Sequence, residues 1–147
     1  MENQKDVNVN EETTAKAAAA KKIKTSIDTS TVKGKMLAYS CMSDPKIKND
    51  ELRLTPFFIE NYFIHEIEMT DDKTGEVYPV DRTVLLDPKG QTTSFVSGGA
   101  AAGLDALIDL FGPGPWNPAI PIKVKDVKTT KGFKTLNLVI QEDLYKG

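Results

Sequence analysis

Residues 83–111 restrict the possible folds more than any other stretch. They read TVLLDPKGQTTSFV and then SGGAAAGLDALIDLF. In the first piece an apolar run meets Asp87-Pro88-Lys89-Gly90, where proline presets a turn and glycine can take a positive φ, so the segment reads as a hairpin. In the second piece Ala100, Ala101, Leu104, Leu107, Ile108 and Phe111 recur at spacings of three and four, which gives a short helix one apolar face. Ser97 supplies an N-cap and Gly112-Pro113 a stop. A single helix set among strands leaves few architectures.

At 147 residues the chain has room for one domain with tails. Residues 1–32 are poor in large apolar side chains and read as a disordered N-terminal tail, because little burial offsets the entropy of ordering. Within it AKAAAAKKIK favours a helix, marginal when isolated, and carries Lys21, Lys22 and Lys24. Residues 33–141 form the expected domain and residues 142–147 a C-terminal tail. The single Cys41 excludes an internal disulfide. With His65 the only imidazole, a transition-metal site is not expected. No apolar run approaches the ~20 residues of a membrane span, and no signal peptide is evident. The chain reads as soluble, not exported, and free of cofactors.

Within the domain, residues 34–42 (GKMLAYSCM) turn apolar and, on length and β-friendly residues, read as a first strand, with a second expected over residues 57–69 and a third over residues 76–87. The odd positions Ile59, Phe63, Ile67 and Met69 are assigned to the core, which leaves Tyr62 facing out. Arg82 interrupts the apolar row of Tyr78, Val80, Val84 and Leu86. Asp71 to Gly75 marks a hairpin turn, and residues 92–96 a short partner strand before the helix. A Pro- and Gly-rich stretch bearing Trp116 follows, and then the clearest hairpin in the chain, residues 120–127 and 133–140 around Thr129-Thr130-Lys131-Gly132. The order is three strands, one helix and two strands, with an extra short hairpin. It is that of the OB-fold, a five-stranded barrel that binds oligonucleotides and oligosaccharides.

Catalytic patterns are missing: no H-E-x-x-H, G-x-S-x-G or Walker sequence occurs, so the chain does not read as an enzyme. The glycine-rich start of the helix could hold a phosphate through its amides. Close packing of the helix explains the same small residues better. Charge is more informative. Residues 119–140 carry five lysines against one acid, a net +4, whereas residues 44–76 carry four bases against nine acids, a net −5. Aromatics available for base stacking are Tyr39, Tyr62, Tyr78, Phe95, Trp116 and Phe133, with Phe57, Phe58, Phe63 and Phe111 assigned to the core.

The block RTVLLDPKGQTTSFVSGGAAAGLDALIDLFG, followed by a Trp-containing loop and PIKVKDVKTTKGFKTLNLVI, resembles the C-terminal half of small phage-encoded single-stranded DNA-binding proteins. The resemblance covers roughly residues 78–140 and rests on a strand, an S-x-G before a helix that ends in F-G, and a lysine-bearing hairpin. It implies an OB-like fold, no cofactor and cooperative coating of exposed strands. On this reading Lys33, Lys35, Arg82, Lys123, Lys125 and Lys134 neutralise phosphates while Tyr39, Tyr62, Tyr78 and Trp116 stack on bases. The expected ligand is single-stranded DNA, with RNA as the other candidate, bound without sequence preference in the host cytoplasm during replication. Further copies of the chain and replication proteins are candidate partners. The alternative is a structural or protein-interaction module of a virus or phage, its exposed aromatics meeting protein.

Overall fold

The computed structural model describes residues 23–147, so the Ala-rich segment, Lys21 and Lys22 lie outside the described residues. The described chain is mainly β, with two α-helices and two separate sheets. Strands β1 (Ile23–Thr25), β3 (Asn61–Thr70), β4 (Val77–Leu86) and β5 (Thr92–Phe95) form an antiparallel four-stranded sheet in the order β1-β3-β4-β5. Strands β2 (Phe57–Ile59), β6 (Ile120–Lys128) and β7 (Lys134–Ile140) form a three-stranded sheet with β6 in the middle. Neither sheet closes, so the five-stranded barrel expected from element order is not formed.

The run expected as one strand over residues 57–69 is divided between the sheets. Phe57–Ile59 pairs with β6, and from Asn61 onward the chain pairs with β4. Glu60 is the corner: its N–H donates to Leu86 O (2.8 Å) and its carbonyl accepts from Trp116 N–H (2.8 Å). A strand that changes sheets at such a corner holds two sheets on one core.

Tyr62 and Phe63 are neighbours on β3 and both are buried, at 2% and 1% exposure. Successive strand residues face opposite sides, so the sheet is covered twice. On one side Tyr62, Leu85 and Phe95 join Phe57, Ile59, Ile122 and Val124 of the other sheet and Ala100, Leu104 and Leu107 of α2 (Gly98–Phe111). On the other, Phe63, Val84 and Leu86 pack with Ile27, Ala38 and Cys41. The expectation that Tyr62 faces outward is therefore corrected.

The second cover is α1 (Val32–Ser40), a helix where a first strand was expected. Thr31 caps it by accepting from Gly34 N–H. Gly34 and Ala38, one turn apart, are buried, while Val32, Met36 and Tyr39 stay exposed. The small residues seat the helix: a Cβ on Gly34 would collide with the Asp28 carbonyl. Part of the expected tail is likewise structured, since Ile23–Thr25 pairs with Phe63 to His65. Ser26 seals the join, donating from its N–H to Tyr62 O while its hydroxyl accepts from Tyr62 N–H.

Arg82 fixes the far end of α1. Its guanidinium donates to the carbonyls of Cys41 (2.8 Å) and Ser43 (2.8 Å), and Nη1 also lies 3.2 Å from His65 Nε2. With the arginine donating, that ring nitrogen is the acceptor. Burial pushes the Cys41 thiol up to about 11 from its ordinary 9.0, and nearby Arg82 only partly offsets this. The thiol is protonated across physiological pH and is no nucleophile.

The hairpins follow their turn residues. Gly75, Gly90 and Gly132 take φ of 73°, 80° and 84°, the left-handed region that glycine enters without penalty. Beyond His65 and Arg82 neither β1 nor β5 flanks the β3–β4 pair, so its distal half is a two-stranded ribbon. Ile67, Met69, Tyr78 and Val80 share one side of that ribbon, and Glu66, Glu68 and Asp81 the other. Residues 142–147 include a short 3-10 helix, Glu142–Leu144.

At the start of α2, a Cβ on Gly99 would collide with Leu136 O and Thr135 Oγ1, while Gly98 has open space. Gly99→Ala should cost about 1–3 kcal/mol in urea unfolding, and Gly98→Ala no more than about 0.5 kcal/mol; equal losses would contradict this packing. Cys41 should resist iodoacetamide at pH 8 until urea unfolds the chain, and rapid alkylation of the folded protein would contradict its burial. From pH 9 upward an unfolded thiol ionises before the folded one. Stability should therefore hold below pH 9 and fall as pH climbs toward 11, with raised Tyr62 acting in the same sense.

Candidate nucleic-acid interface

The basic residues converge on the β6–β7 hairpin. Ile122 and Val124 are buried, so alternation turns Lys123 and Lys125 to the outer face of the three-stranded sheet. Opposite them on β7 stand Val139 and Asn137, both exposed. The hairpin mouth carries Lys128 directly across from Lys134, and the turn adds Lys131 and Phe133, the latter 69% exposed. Like charges directly opposite are unfavourable, so this end of the hairpin gains from an anion.

The one acid of the hairpin is occupied. Arg53, from the 3-10 turn Asn49–Arg53, donates from Nε (2.6 Å) and Nη2 (2.7 Å) to the two carboxylate oxygens of Asp126. These hydrogen bonds hold the Asp126 carboxyl below the usual carboxylate range, with Arg53 and Lys134 adding charge attraction. Glu142 and Asp143 border the other end, in a surface depression shared with Lys123.

The hairpin is braced by α2. The Ser97 hydroxyl accepts from Ala100 N–H (3.3 Å) and Leu136 N–H (3.1 Å) and lies 3.0 Å from Thr135 Oγ1, which accepts from Gly99 N–H (2.9 Å). Gly103 sits against Leu138. The helix thus caps its own N-terminus and satisfies the edge of β7 with the same side chain. The packing reading preferred for the glycine run fits this arrangement, since Gly99 lies against Leu136 and Thr135 and the Gly99 and Ala100 N–H groups bond protein oxygens. Asp105 of the same helix forms an exposed ion pair with Lys24 (3.7 Å), and among the described residues no cluster of His, Cys, Asp and Glu could hold a metal ion.

The ten residues singled out in the sequence separate into distinct settings. Lys123, Lys125 and Lys134 lie on the basic hairpin, and Lys33, Lys35 and Tyr39 are exposed on α1. Tyr78 is exposed on the β3–β4 ribbon, where residues 66–81 hold six acids and one lysine. Tyr62 and Trp116 are buried and pack together with ring centroids 5.7 Å apart. The Tyr62 hydroxyl donates to Pro113 O (2.7 Å) and the Trp116 indole to Gly112 O (3.1 Å). Their expected exposure is corrected: they pin the Pro- and Gly-rich loop to β3. Arg82 spends its donors on α1. Phe111, expected in the core, is 53% exposed, and Phe95, offered for stacking, is buried. Lys128 and Lys131, counted in the charge of this segment, and Phe133, offered for stacking, come together at the hairpin tip.

No curated protein and no solved structure matches the chain. A family model described as phage single-stranded DNA-binding protein matches residues 17–141, which takes in both sheets, both helices and the basic hairpin. The chain therefore belongs to the Phi29-type family of phage single-stranded DNA-binding proteins.

Proposed function

We propose that the chain coats unpaired DNA during phage replication through the β6–β7 hairpin and the outer face of its sheet, without reading sequence. The observation that carries this reading is the gathering of five lysines on one hairpin whose only acid is already paired with Arg53. Lys123 and Lys125 meet phosphates along the outer face, Lys128, Lys131 and Lys134 meet them at the tip, and exposed Phe133 stacks on a base. Lys33 and Lys35 of α1, with Tyr39 beside them, offer a second, weaker contact. The fold is OB-like in its logic: two small sheets share a strand run that turns at Glu60, and the outer side of β6 offers Lys123 and Lys125 to the ligand. The family membership supports DNA over RNA as the ligand.

The β3–β4 ribbon supports a separate role for protein contacts. Its net charge of −5 over residues 66–81 repels a phosphate chain, while Met69, Val77 and Tyr78 are exposed. Replication proteins or further copies of the chain would meet it there.

Affinity for oligo-dT should fall steeply with salt, by about 0.7 in log–log slope for each phosphate neutralised on a single strand. Replacing Lys123 and Lys125 together by alanine should therefore lower the slope by about 1.4, as read by anisotropy titrations from low to moderate salt. An unchanged slope would remove these two lysines from the interface. Oligo-U of equal length, titrated alongside, separates DNA from RNA preference.

A further inference from the structure

We infer that the cleft around Phe58 is a subsite for one unpaired nucleobase, an inference that rests on the DNA-binding reading above. Phe57 and Ile59 are buried, so the ring between them faces away from the core, and it is half-buried there. Phe58 pairs with Pro121 across β2 and β6. Lys123 and Lys125 follow on the same side of β6, and four strand residues carry the row from Pro121 to Lys125 over about 13 Å. The ring thus stands on the same side of the sheet as those two lysines, with the buried Pro121 between them.

The cleft encloses about 610 Å³, within the size of small-ligand sites. The Lys146 ammonium lies over the Phe58 ring, 5.6 Å from its centroid, so this face of the ring already holds a cation and has the electron-rich character that a planar or cationic group meets. A base stacking there displaces the ammonium to the rim, where it and Lys89 can meet the flanking phosphates. Gln91 and Asn117 also line the cleft, and an amide can present either donor or acceptor to a base edge. That suits a site which takes any base. The Asp87 carboxylate, also in the lining, is turned inward to its own loop, where Oδ1 accepts from the N–H groups of Lys89 and Gln91 (2.9 Å each).

Phe58→Ala is expected to weaken oligo-dT binding about 5- to 150-fold at fixed salt while leaving the salt slope unchanged, because stacking releases no counterions. Phe58→Tyr should restore most of the affinity. Oligo-dT carrying 5-iodouracil, irradiated with the wild-type chain, should crosslink at Phe58 as located by mass spectrometry, and this readout stands even if the alanine variant fails to fold. Wild-type binding together with full affinity in a folded Phe58→Ala variant, or crosslinks confined to other sites, would overturn the subsite and leave the hairpin reading intact. Failure of the wild-type chain to bind oligo-dT would overturn both.

Discussion

Everything in this fold depends on a strand that is buried on both faces. Tyr62 and Phe63 cannot share one core, so β3 demands a cover on each side, and the two covers come from opposite ends of the chain. The three-stranded sheet with α2 encloses Tyr62. The segment from Ile27 through α1 encloses Phe63, Val84 and Leu86. Leaving those three open to water would forfeit about 1.5–3 kcal/mol each. Arg82 and Ser26 are the polar fasteners of the second cover. Each satisfies backbone groups that would otherwise be stranded at the join.

Double covering also decides where a ligand can bind. The four-stranded sheet has no free face near its centre, and its distal ribbon is strongly acidic. The three-stranded sheet is covered from inside by α2 and the first sheet; on its outer side Pro121 is buried and Lys146 lies over the Phe58 ring, while Lys123 and Lys125, farther along β6, are more accessible. Charge separation between the two hairpins then gives the domain a direction. On the proposed reading a phosphate chain is drawn to β6–β7 and repelled from β3–β4, over distances set by the Debye length of roughly 8–10 Å at moderate salt. Arg53 contributes by taking Asp126 out of the balance.

The sequence told most where one element carries one signal. The turns at Gly75, Gly90 and Gly132, the capped helix from Ser97 and the lysine-rich hairpin were all legible, because turn chemistry and capping act over a few residues. Two failures share one cause. Residues 34–42 read as a strand on their length and β-friendly residues, yet α1 buries Gly34 and Ala38 and exposes Met36 and Tyr39, the reverse of the usual helix pattern. Tyr62 looked solvent-facing because one apolar side was assumed for β3, and no local signal announces a second core. Trp116 illustrates the same limit, since its burial depends on Tyr62 and on Glu60, more than fifty residues earlier. The division of residues 57–69 between two sheets was hidden for the same reason. It is set by the partners β6 and β4, and not by the run itself.

The central claim is that DNA lies against the basic hairpin and the outer face of its sheet. Lysine acylation followed by mass spectrometry, with and without saturating oligo-dT, tests it at every ammonium group at once. The account predicts strong protection at Lys123, Lys125, Lys128, Lys131 and Lys134, with Lys73 on the acidic ribbon labelled equally in both states. Protection at Lys73 with unchanged labelling along β6–β7 would contradict it.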